Sequence, residues 1–122
     1  MKTVLLVEDN DMNARLIKFV LERDGFAVLL SATGEEGIRI ATETAPDIIL
    51  MDVHLPGMDG LEAAHRLKQA DATSRIPVIA LTANVMEGDK ERVIAAGCDG
   101  YIAKPVNTRE LAGAITGYLN AG

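Results

Sequence analysis

Five short apolar runs recur along the chain, at residues 4–7, 26–30, 48–51, 78–81 and 101–103, and most of them lack polar alternation. Runs of this length are too short for helices and read as strands buried on both faces. Between them lie segments with helical spacing, such as Leu16, Ile17, Val20 and Leu21, and later Leu111, Ala114, Ile115 and Tyr118. Each set forms a stripe on one helix face. Thr33 with Glu36, Asp59 with Glu62 and Asn107 with Glu110 stand at or near capping-box spacing, while Gly25 and Gly97 fall where the first and fourth helices should stop. The predicted order is βαβαβαβαβα.

Parallel strands need crossover connections, and right-handed crossovers with helices on both faces produce a doubly wound open sheet. With five strands, the flavodoxin-like order 2-1-3-4-5 is the first choice. This fold class, α/β with a parallel sheet, gives the polar residues a common address. Glu8 and Asp9 follow the first strand, Asp52 the third, Thr82 the fourth and Lys104 the fifth, so all five land on one rim. Ligands bind outside the carboxyl ends of such strands, at the switch point between strands one and three. Three carboxylates should meet there.

Two carboxylates about 4 Å apart repel by roughly 4 kcal/mol at an effective dielectric near 20, so a cation is required. Lys104 supplies one positive charge. Three carboxylates, with no His or Cys among these rim positions, point to a hard ion with oxygen ligands, and magnesium fits. A carboxylate can also carry a covalent phosphoryl group when the transfer is stabilised electrostatically, which the metal, Lys104 and Thr82 would do.

Composition narrows the picture. A chain of 122 residues with 48% hydrophobic positions reads as one domain, 1–122, and 3% aromatics means a core of aliphatic side chains. The net charge of -6, with no basic cluster, argues against direct nucleic-acid binding. Cys98 is the only cysteine, which excludes an intramolecular disulfide, a Cys-based zinc cluster and a CxxC redox pair. The apolar run that ends at Glu8 is too short for a signal-peptide core or a membrane span, so no membrane association and a cytoplasmic location are expected.

The strings VLLVEDN, IILMDVHLPGMDG, VIALTA and YIAKP, in this order and at these separations, resemble the signature segments of response-regulator receiver domains. The resemblance covers essentially the whole chain. VEDNDMN with YIAKP is similar to DivK-type single-domain regulators and to receivers attached to hybrid histidine kinases. It implies a CheY-like three-layer sandwich and a phosphoacceptor domain rather than an enzyme. Asp52 would take phosphoryl from the phosphohistidine of a sensor histidine kinase or histidine phosphotransfer protein. Asp9 and Asp52 would bind magnesium directly, Glu8 through water, and His54 through its backbone carbonyl. Thr82 and Lys104 would each contact a phosphoryl oxygen, Pro105 would follow a cis bond, and Tyr101 matches the aromatic switch position. Many receivers have Asp where this chain has Glu8, and His54 and Asn84 stand where phosphoryl lifetime is tuned. The output would be a downstream protein target, bound by a monomer or weak dimer through the fourth helix, fifth strand and fifth helix. Gly88, read as part of the first turn of the fourth helix, suits that helix to movement. With no output segment after Gly122, a stand-alone regulator is expected.

Rival readings fare worse. Asp9, Asp11 and Asn13 have EF-hand spacing, but Ala14 replaces the required Gly and Val20 the required Glu. Asp11 is better read as a helix-start residue. A haloacid-dehalogenase-like phosphatase would use Asp9 of Asp9-Asn10-Asp11 as nucleophile, yet nothing acidic follows Lys104 until Glu110 and Asp52 would have no role. An FMN-binding flavodoxin would not place Glu8-Asp9-Asn10-Asp11 against a phosphate. His65 reads as a helix-surface residue, Cys98 as a packing residue, and Gly57 and Gly60 as turn residues after the third strand.

Overall fold

The structure, a computed structural model, describes residues 1–83 and 88–121. Its elements are β1 (Thr3–Val7), α1 (Asp11–Arg23), β2 (Ala27–Ser31), α2 (Gly34–Thr44), β3 (Ile48–Asp52), α3 (Gly60–Gln69), β4 (Val78–Thr82), α4 (Asp89–Ala95), β5 (Gly100–Ala103) and α5 (Leu111–Ala121). All strand pairs are parallel and the sheet order is β2-β1-β3-β4-β5, as predicted.

Continuous apolar runs make sense once both faces are covered. Val4, Leu6, Ile48, Leu50, Ile79 and Leu81 pack under α1 and α5. Their alternates Leu5, Val7, Ile49, Met51 and Val78 pack under α2 and α3, while Ala80 joins Val93 of α4. The period-two alternation of a strand thus feeds two cores instead of one core and solvent.

Helix starts follow the predicted caps at two of three places. Thr33 accepts a hydrogen bond from the Glu36 amide at 3.1 Å, and Asp59 accepts from Leu61 and Glu62 at 2.8 and 3.0 Å. Asn107 instead accepts from Arg109, two residues on, at 3.0 Å, in a turn that precedes α5. Gly25 takes φ +96 and Gly97 φ +91, each just past a helix, in the left-handed region that glycine enters without strain.

Three expectations are corrected. Phe26 lies outside β2, because its amide bonds back to the Leu21 carbonyl at 3.0 Å in the turn that ends α1. Leu16 does not belong to the core stripe: Ala14, Ile17, Val20 and Leu21 are the buried set, and Leu16 is 51% exposed beside Met12 and Phe19. Gly88 stands just before α4 with φ +95 rather than inside its first turn, which removes the helix-propensity argument for movement. Asn84 lies outside the described residues.

Gly60 ties α3 to the end of β3. Its amide donates to the Val53 carbonyl at 3.1 Å, and a Cβ at this position would overlap the Asp52 carbonyl oxygen. Because the obstacle is backbone, Gly60→Ala must displace the helix start. Chemical denaturation should show a loss of about 1–3 kcal/mol, the usual cost of overpacking, and a variant as stable as wild type would refute the close approach.

Candidate functional site

Each rim residue is fixed by the backbone that delivers it. The Glu8 amide donates to the Ser31 carbonyl at 2.9 Å, extending the β1–β2 ladder, and two residues later Asn10 caps α1 by accepting from Asn13 at 2.9 Å. Glu8 and Asp9 are therefore strapped between a strand end and a helix cap. Asp52 closes β3, and the Val53 amide donates to the Leu81 carbonyl at 3.0 Å. Thr82 closes β4 and is fully buried. The Lys104 amide donates to the Thr82 carbonyl at 2.8 Å, and the Lys104–Pro105 bond is cis.

These side chains converge. Glu8, Asp9 and Asp52 each offer a carboxylate oxygen, all lying within 4.8 Å of one another. Lys104 Nζ lies 3.0 Å from Asp52 Oδ2 and 3.2 Å from Glu8 Oε1. Asp52 Oδ1 accepts from the His54 amide at 3.0 Å. Glu8 and Asp52 are each only 3% exposed, whereas Asp9 is open to solvent. Asn13 was not singled out for the site from the sequence, yet its side-chain amide donates to Glu8 Oε1 at 3.4 Å. Its place one helical turn beyond the strand-end acids was the available signal.

The electrostatics are those of two buried acids sharing one base. Burial, the hydrogen bond with Asp52 and repulsion from it push Glu8 up to about 7, against the pull of Lys104. Burial alone would raise Asp52 as well, but its bonds with Glu8, the His54 amide and Lys104 hold it below its ordinary value. Lys104 would be lowered by burial, yet Asp52 and Glu8 hold it above the usual lysine value. Glu8 Oε2 is buried without a partner among the described residues. An orphaned oxygen beside two more carboxylates is a donor set that suits a hard divalent cation.

The other candidates lie where their elements put them. Tyr101 sits on β5 opposite Ala80, half-buried against the cluster of Val53, Leu61, Ala80 and Val93. The His54 and His65 side chains are exposed. Cys98 packs against two core clusters, and burial with Asp99 nearby pushes its thiol up to about 11.

A parallel 2-1-3-4-5 sheet with this acidic rim defines a class of protein, and residues 4–116 match the response regulator receiver domain family. The chain belongs to it: a phosphoaccepting receiver of two-component signalling, a switch rather than a catalytic enzyme, with a histidine kinase as partner. Membership overturns the phosphatase alternative on Asp9. The polar-differentiation response regulators DivK of Brucella anthropi and Brucella ovis are 42% and 41% identical over 118 residues, which cover 97% of this chain and 96% of theirs. The receiver domain of the sensor histidine kinase PA1611 from Pseudomonas aeruginosa, solved with a magnesium ion coordinated in its active-site cleft, superposes with TM-score 0.91 at 38% identity and 98% coverage of both chains. The receiver of a histidine kinase from Syntrophus aciditrophicus gives TM-score 0.91 at 33% identity, covering 99% of this chain and 92% of that one. No described helix is long and apolar enough to cross a membrane.

The Glu8 carboxyl makes metal-free stability depend on pH. With its folded-state pKa near 7, above the ordinary 4.5, the folded protein keeps a proton that the unfolded chain releases, so stability falls as pH rises from about 4.5 through 7. In EDTA, denaturation of wild type should lose about 1–3 kcal/mol over this window relative to Glu8→Gln. Parallel curves for the two proteins would contradict the raised carboxyl.

Proposed function

We propose that Asp52 is the phosphoacceptor of a receiver domain spanning 1–122, in which Glu8, Asp9 and Asp52, with the His54 carbonyl, hold a magnesium ion. The observation that carries this reading is a buried Asp52 bonded to Lys104 within a cluster of three carboxylates. The transfer forms an acyl phosphate O–P bond on Asp52 as the N–P bond of a donor phosphohistidine breaks. Magnesium, when bound, would neutralise the carboxylates and the phosphoryl oxygens. Lys104 turns from Asp52 to a phosphoryl oxygen, Thr82 donates its hydroxyl to another, and Tyr101 responds. The signal passes to a protein target from a cytoplasmic monomer or weak dimer.

Incubation with a small phosphodonor, read by intact mass, should add one phosphoryl group in magnesium and almost none in EDTA. Asp52→Asn should abolish the addition while staying folded, since it is nearly isosteric and relieves carboxylate repulsion. Equal modification with EDTA, or phosphoryl on Asp9 in the variant, would sink this assignment.

A surface feature supports the phosphodonor's approach. Met12, Leu16 and Phe19, at helical spacing on α1, are 81%, 51% and 66% exposed. Of these, Leu16 also lines a groove of about 290 Å³ with Asn13, Ile17, Lys104, Pro105 and Val106, with Glu8 at its wall. An apolar stripe whose Leu16 borders the groove that holds Lys104, the partner of Asp52, fits a phosphohistidine-bearing helix. Phe19→Ala should slow transfer from a phosphorylated kinase or phosphotransfer protein about tenfold, the loss of one exposed apolar anchor, and leave small-donor labelling unchanged. Equal slowing of both reactions would argue against docking there.

A further inference from the structure

β5 is an edge strand: among the described residues, no strand pairs with its outer side. One carbonyl there has a partner from α5, because the Tyr118 hydroxyl donates to the Tyr101 carbonyl at 3.3 Å. The ring reaches that point only because residue 100 is glycine. A Cβ on Gly100 would run into Cε1, Cζ and the hydroxyl oxygen of Tyr118. Side chains alternate across β5, so Ile102 joins Tyr118 in the cluster under α1 and α5, while Tyr101 joins the Val93 cluster on the opposite face. Two tyrosines on opposite faces of one strand thus meet at the main chain of Tyr101.

The bond sits where it is sensitive. O–H···O bonds centre near about 2.8 Å, so at 3.3 Å a main-chain shift of a few tenths of an ångström strengthens or breaks it. Among the described residues, the end of α5 has few other ties: Leu111 and Ile115 are buried nearer its start, whereas Thr116, Gly117 and Asn120 are exposed and Tyr118 and Leu119 are partly covered.

We infer that Tyr118 is a positioning residue of the switch: its hydroxyl, seated against Gly100 and bonded to the Tyr101 carbonyl, carries a change at Tyr101 on β5 into the last turns of α5. The inference rests on the reading of Tyr101 as the residue that responds to phosphorylation. A contact shifts an equilibrium only if it differs between the two states, and a long bond to the residue that moves is such a contact.

The test compares amide NMR spectra of the full chain with magnesium, before and after beryllofluoride. Wild type should respond at Thr82, at Tyr101 and at residues 116–120. Tyr118→Phe keeps the ring in the Gly100 notch and removes only the donor. It should retain the responses at Thr82 and Tyr101 while those at 116–120 fall to less than about a third. Gly100→Ala, which drives the ring out with its hydroxyl intact, should give the same loss, and Tyr118→Phe decides alone if that variant does not fold. A purely structural tyrosine would lower the melting temperature without changing the beryllofluoride difference. Undiminished responses at 116–120 in Tyr118→Phe, or none there in wild type, overturn the relay. A wild type silent at Thr82 and Tyr101 overturns the switch reading beneath it.

Discussion

One ammonium group answers two carboxylates that the sheet buries side by side, and the architecture serves to keep them there. β1 and β3 are neighbours in register, so Glu8, just past β1, and Asp52, at the end of β3, cannot avoid each other. Lys104 comes from β5, beyond the whole width of β4, and its backbone bond to Thr82 sets how far it reaches. Burial makes every charge expensive unless it is paired. With one cation for two buried anions, the pair divides unequally: Glu8 is pushed toward the proton and Asp52 is held as carboxylate. The resting site is therefore short of positive charge. A divalent ion relieves this, and in the proposed reaction an incoming phosphoryl group would compete with Asp52 and Glu8 for Lys104.

Rigid support is what makes that imbalance useful. The central strands are sealed on both faces, with Leu5, Leu6, Ile49, Leu50, Ile79 and Leu81 fully buried, so the two strand ends that carry the three carboxylates cannot drift apart to relax their repulsion. Gly60 brings the start of α3 against the Asp52 carbonyl, closing the space behind that residue. Asp59 then caps that helix with its side chain, so the support is both steric and hydrogen-bonded.

Much of this was legible because a parallel sheet sends every strand end to the same rim. Glu8, Asp9, Asp52, Thr82 and Lys104 could be grouped from strand order alone. The central strands were equally plain, since burial on both faces writes an unbroken apolar run. Edges were less so. β2 is only half-buried, and Phe26 looks like strand by composition although its amide closes the turn after α1. Leu16 and Ile17 are adjacent and both apolar, and periodicity alone does not say which side of a wide stripe meets the core. Asn13 reaching Glu8, or Tyr118 filling the notch at Gly100, depends on distances between segments that no spacing rule encodes.

The site sits between two surfaces that share one short segment of chain. Pro105 and Val106 line the groove beside α1, and Lys104 just before them touches both buried acids. Three residues earlier Tyr101 faces the α4 cluster, and its carbonyl is bonded to α5. On the proposed reading, a group that enters over α1 and draws Lys104 toward itself would pull on the strand that carries Tyr101. Two sites are coupled when the same element has different contacts in two states. Under the proposed switch β5 would be such an element: it is four residues long, among the described residues it pairs on one side only, and its outer edge is held by a long hydroxyl bond. Low local stability is where a switch has to be, because an element locked on both edges would register the phosphoryl group without moving.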